Sequence, residues 1–177
     1  MRFSLACAFA LSVTASTVLA QIPYSWSYNR LIAPSPLETV IALSFGVPET
    51  DQQQASIQCS IGANWIYADV RLEAEVGGLV DGAVIPVTVM GDGYSEVFEA
   101  NVERREEGIT GVVFAVGLDE PFWLAAVRSS ELYYALPGGV ETPLLLPGFS
   151  PLMGAFLNDC RSIADLRPAP TKAGSVK

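Results

Sequence analysis

Histidine is absent from the chain. That excludes Ser-His-Asp and Cys-His nucleophilic triads, and every metal site that depends on imidazole. Cysteine is scarce, with Cys7, Cys59 and Cys160 only. Basic residues are few: 10 Lys and Arg stand against 19 Asp and Glu, a formal charge of −9. Such a balance argues against nucleic acid phosphates or anionic lipid as partners, because both select for Lys and Arg. No phosphate-binding loop and no GxGxxG fingerprint occurs, so no cofactor is expected. Gly91-Asp92-Gly93 lacks the alternating oxygen ligands of a calcium loop, and no metal is expected there.

The first twenty residues read as a secretory signal. Arg2 supplies the positive end, Phe3 to Val13 a short apolar run, and Val18-Leu19-Ala20 a small-residue cleavage site. A membrane anchor would need about 20 predominantly apolar residues, and Ser12, Thr14, Ser16 and Thr17 dilute this run. Cys7 follows only six residues, too few for the apolar run that precedes a lipid-acylated cysteine. Nothing downstream is long and apolar enough to span a bilayer, so the mature chain is expected to have no membrane span. Its two cysteines, Cys59 and Cys160, allow one intramolecular pairing in an oxidising compartment. Closing a loop of about 100 residues would stabilise the fold by roughly 4.7 kcal/mol on chain-entropy arguments.

The best-patterned stretch runs from Ser56 to Val76. Ile66, Ala68, Val70, Leu72, Ala74 and Val76 alternate with Trp65, Tyr67, Asp69, Arg71, Glu73 and Glu75. A period of two describes a strand with one face in a core and the other in water. Upstream, Tyr24, Trp26 and Tyr28 recur at every second position, which predicts an aromatic-faced edge strand covering a sheet, or a stacking platform. Leu37 to Gly46, mostly apolar through Thr39–Phe45, predicts a central strand. Further strands are expected over Ala83–Met90, Tyr94–Glu103, Ile109–Val116, Leu132–Leu136 and Thr142–Leu146, separated by Gly, Pro and Asp turn signals. Pro86 favours an edge or bulge position for its strand. Helices are expected from Pro121 to Arg128, and from an N-cap at Ser150 to Cys160 with Leu152, Phe156, Leu157 and Cys160 on its apolar stripe.

These elements define one β-dominated domain, all-β or α+β. The expected form is an antiparallel meander, sandwich or barrel, with one short internal helix and one C-terminal helix. The organisation reads as signal peptide 1–20, a single domain 21–161 and a tail 162–177. No catalytic constellation is legible. Carboxylate chemistry on a glycan would require two carboxyl groups flanking a cleft, and Glu49 and Asp51 are the candidates, set against a solvated loop with a local Thr50 or Asp51 turn. Trp65 and Tyr67 are large aromatics on the wet side of their strand, either covered by the N-terminal segment, the simpler reading, or exposed as a binding patch.

Three pieces carry a resemblance: Phe45-Gly46-Val47-Pro48-Glu49-Thr50-Asp51, the strand cysteine Cys59, and Pro147-Gly148-Phe149 with a helix ending Phe156-Leu157-Asn158-Asp159-Cys160. Together they resemble small exported proteobacterial proteins. The layout is similar to invasion-associated locus B-like and type VI secretion accessory proteins. The resemblance implies a periplasmic or secreted β-rich protein and transfers no site. The expected function is a non-enzymatic binding or accessory protein of the bacterial envelope, with an envelope protein or glycan as partner. A carboxylate-dependent glycan hydrolase and an acidic inhibitor of a cationic enzyme are the alternatives.

Overall fold

The computed structural model describes residues 24–62, 65–105 and 109–169. The leader read at 1–20 lies outside these residues. Nine strands form one antiparallel sheet: β1 (Ser25–Leu31), β2 (Val40–Gly46), β3 (Gln53–Gly62), β4 (Trp65–Glu73), β5 (Val84–Gly91), β6 (Tyr94–Glu103), β7 (Gly111–Gly117), β8 (Glu131–Ala135) and β9 (Thr142–Leu145). Helix α1 (Pro121–Arg128) follows β7, and α2 (Phe149–Arg161) follows β9. The expected β-dominated class with an internal and a C-terminal helix is what the chain adopts, and the sheet curls into a half-barrel.

The order across the sheet is β1-β2-β3-β4-β7-β6-β5-β8-β9. Hairpins make the runs β1–β4 and β5–β7. The β4–β5 and β7–β8 connections instead cross over, so β7 lies beside β4 and β8 beside β5. Each crossover is a Greek-key step.

Alternation places the core. Leu43, Ile57, Val70 and Phe114 are cross-strand neighbours in one row through β2, β3, β4 and β7, all buried. Ile41, Cys59, Ala68 and Val116 form the next row. β2 alternates buried and half-buried residues and lies second from the edge, so it is not the doubly buried central strand its composition suggests. Gly111 enters β7 between β4 and β6, where a Cβ would stand 2.0 Å from the Leu72 carbonyl oxygen. Only glycine permits that approach.

β6 and β7 pair only from Asn101 to Glu103. Beyond that stretch Phe98 stacks on Phe114 with ring centroids 4.6 Å apart, and Phe122 of α1 meets Phe98 edge-on. α1 thus fills the space where the strands part. Pro86 follows the same logic: β8 bonds β5 only from Thr88 to Met90, so Pro86 sits where β5 has β6 on one side alone. Its missing N–H costs nothing there.

Helix α2 covers the inward face. Phe156, Leu157 and Cys160 are buried along it as expected, Phe149 joins them, and Leu152 is only half-buried. Its start differs from the expectation. Gly148, in the left-handed region with φ of 85°, precedes the first helical residue Phe149, and no side chain caps the helix, so Ser150 lies inside the first turn. Phe149 packs edge-on against Trp26 at 4.7 Å. At the other end Asp159 accepts the Tyr28 hydroxyl at 2.5 Å and pairs with Arg30 at 2.6 Å. Packing continues past the helix: Ile163 is fully buried, inside the segment read as tail.

The sheet's last strand is held by side chains. Trp26 Nε1 donates to the Leu145 carbonyl at 2.9 Å, and Gln54 Nε2 donates to the Pro143 carbonyl at 2.9 Å. A register shift at Phe45/Gly46 puts an extra residue opposite β2 and accompanies the turn of Gln54 toward β9. Trp26, paired and stacked on Phe45, is therefore a structural residue and not a free stacking platform.

Cys59 and Cys160 form the expected disulfide, both fully buried, joining β3 to the last turn of α2. Replacing both by alanine should cost about 2–5 kcal/mol of unfolding free energy. Urea unfolding of the double variant checks this. A change under about 1 kcal/mol would mean that noncovalent packing alone holds α2 on the sheet.

Candidate functional site

The outward face of the sheet is divided. On β1 to β4 it carries Ser25, Ser27 and Asn29, then Ser44, Ser56 and Gln58, then Asp69 and Arg71. These are the polar partners that an antiparallel sheet presents to water. On β5, β8 and β9 the outward face is largely apolar as well, while β6 contributes Val97 among Ser95, Glu99 and Asn101. Inward residues Val87, Val89, Leu132, Tyr134 and Leu144 are buried, as are Ala100 and Val102. The outward set nevertheless includes Val84, Pro86, Thr88 and Met90 on β5, with Val97 on β6.

Register makes these outward residues contiguous. Thr88 has Val97 on one side and Ala135 on the other. Met90 lies beside Tyr133, which in turn lies beside Pro143, and Glu131 lies beside Leu145. Directly opposed side chains on one sheet face sit about 4.5–5.5 Å apart at Cβ, so the rows touch. Val84 is 64% exposed, Val97 61% and Leu145 45%. No described element of the chain covers them.

At one end the rows run into a depression of about 600 Å3. Met90 and Tyr133 line it together with Asp92, Glu131, Arg128 and Ser129. The Tyr133 hydroxyl donates to Glu131 at 2.5 Å, which holds that carboxylate beside the rows. The Ser129 hydroxyl is buried without a partner among the described residues.

A second depression, about 410 Å3, opens where the ends of β3, β4, β8 and β9 meet. Tyr134, fully buried, donates to the Glu73 carbonyl at 2.6 Å on its wall. Burial, reinforced by the Glu73 charge and opposed by a Gln54 hydrogen bond, pushes this phenol up to about 12. Glu73 and Glu75 both line the opening, but they come from one wall, the end of β4 and the residues just after it. A glycosidase pair flanks its bond from two sides. Arg104 closes the rim by donating to the Leu79 and Gly77 carbonyls.

The sequence candidates fall elsewhere. Glu49 and Asp51 are exposed in the β2–β3 loop. Glu49 adopts φ of 61° and lines a depression of about 300 Å3 whose walls do not include Asp51. Thr50 makes the local turn, accepting from the Gln52 N–H and donating to the Val47 carbonyl. Tyr67 lies on the outward face, 48% exposed, so β1 does not cover it, contrary to the simpler expectation. Two strands separate β1 from β4, which puts that cover out of reach. The Trp65 backbone pairs with Gly62, but its side chain lies outside the described residues. Among the described residues no group of three Cys, Asp or Glu side chains is placed to hold a metal ion, and no helix is long and apolar enough to cross a membrane.

The apolar outward rows were not singled out by sequence reasoning. The signal was present as strands apolar at both parities: Val84 to Met90, the adjoining Val97 and Phe98, and Leu132 to Ala135.

No protein family and no curated protein matches this chain by sequence. Among solved structures it is similar to the invasion associated protein B of Bartonella henselae. The TM-score is 0.45 at 18% identity, covering 75% of this chain and 92% of that one.

Tyr134 generates a test in alkaline solution. Its folded pKa lies above the ordinary 10.0, so the protonated phenol stabilises the fold fully below pH 10, and that contribution is lost as pH rises from 10 through about 12. Tyr28 and Tyr94 act in the same direction, each raised first by burial and then by a neighbouring carboxylate, Asp159 or Glu96. Tyr134→Phe should therefore lower stability by about 1–3 kcal/mol at neutral pH through the lost hydrogen bond. It should also make the decline above pH 10 shallower. Denaturant unfolding across alkaline pH reads both effects, and an unchanged slope would mean that Tyr134 ionises as freely as in the unfolded chain.

Proposed function

We propose that this chain is an exported, non-enzymatic binding or accessory protein of the bacterial envelope, and that it binds a partner on the outward face of β5, β6, β8 and β9. The carrying observation is the contiguous, uncovered apolar rows around Thr88, Met90 and Tyr133, with Val97 and Leu145 exposed at either side. Single exposed apolar residues are ordinary, whereas a connected set on one rigid sheet is the feature that interaction sites share. The buried Cys59–Cys160 disulfide supports an oxidising compartment. Secretory residues at positions 1–20 supply the route in this reading, and the low content of basic residues keeps nucleic acid off the partner list.

Substituting Val97→Ser and Leu145→Ser together polarises the face at two exposed positions. The oxidised protein and this variant should be compared as baits in a bacterial envelope extract. The wild type is expected to retain a specific protein that the variant loses. An identical bound fraction would remove this face as the site. Recovery of shortened glycan would favour the hydrolase alternative and make Glu49→Gln with Asp51→Asn the informative pair.

A further inference from the structure

We infer that the partner seated on this face is a cationic amphipathic polypeptide segment, one that sets aliphatic side chains on the Thr88 and Met90 rows and Lys or Arg against the acidic margin. The inference rests on the preceding reading of the face as the docking surface, and adds the chemistry of what docks there.

The charge distribution carries it. Outward positions of β5, β6, β8 and β9 hold no Lys or Arg. They do hold Glu99 beside Pro86 and Glu131 beside Leu145, with Asp92 in the adjoining depression. Arg128 is the single basic side chain in that depression, opposed there by two carboxylates. The chain's other described cations are already engaged. Arg30 pairs with Asp159, Arg71 and Arg105 with Glu103, and Arg161 with Asp119. Arg104 and Arg167 donate to backbone carbonyls.

The acidic margin is thus left for charges from outside, and carboxylates next to an apolar, weakly hydrated face interact more strongly than carboxylates in open water. A second copy of this chain fits poorly, because self-pairing of the face would bring Glu99 and Glu131 toward their own kind. An anionic lipid surface is repelled for the same reason.

Two short peptides test the assignment, one alternating valine with lysine and the other valine with glutamate. Binding to the oxidised protein is read by fluorescence anisotropy. The lysine peptide should bind at least about tenfold tighter, and the preference should collapse as salt rises toward roughly 1 M. Glu99→Gln with Glu131→Gln should weaken it about 3- to 10-fold. Val97→Ser with Leu145→Ser should weaken both peptides. Equal binding of the two peptides, lost in the serine variant, overturns the cationic partner while leaving the docking face in place. Lysine-peptide binding unchanged in the serine variant overturns the face itself. A concentration-dependent dimer in sedimentation, abolished by the serine pair, would replace the cationic partner with a second copy.

Discussion

The attachment of α2 to the inward face of the sheet is the constraint on which the rest of the molecule depends. A single curled sheet has one concave face, and here that face is lined by Leu43, Ile57, Val70 and Phe114. Without a cover those side chains would meet water. α2 is fixed at three points: Phe149 against Trp26, Asp159 against Tyr28 and Arg30, and Cys160 bonded to Cys59. The covalent contact is the one that survives fluctuation of the other two. It links residues 101 apart in sequence, so the N-terminal half of the sheet and the last helix are one cooperative unit.

With the concave side filled, the convex side is the one left open, and it is not uniform. Its β1–β4 half is mainly serine, glutamine and charged side chains, with Leu31, Val40 and Tyr67 among them. Its other half, on β5, β8 and β9, carries valine, methionine, tyrosine and proline in register, with β5 backed by β6 along its whole length and by β8 from Thr88 to Met90.

Much of this was legible in the residues. Strand β4 follows from its alternation, and Ala68, Val70 and Leu72 are indeed the buried set. Pro121 and Arg128 bound α1 as expected, and Cys59 pairs with Cys160 as expected. Strand order was not legible, because it depends on where the segments after Glu73 and Gly117 lead the chain, and local pattern carries no such information. The start of α2 was missed because Ser150 is a good cap by type, while Gly148 takes the left-handed geometry that ends the preceding turn. The apolar outer face was missed for a related reason. Apolar residues at both parities read equally well as a doubly buried strand, and only the position of the helices shows which side is left bare. Glu49 and Asp51 drew notice as paired carboxylates, yet the loop turn made by Thr50 leaves only Glu49 on the neighbouring depression.

The anchoring of β9 has a consequence for the company the protein can keep. An open sheet ends in a strand whose outer carbonyls and N–H groups invite another strand, the route by which β-rich chains polymerise. On β9 the Pro143 and Leu145 carbonyls already accept from Gln54 and Trp26, and proline at 143 offers no N–H. That border is closed to templated growth without the sheet having to close on itself. Strand addition would therefore have to begin at a border other than β9.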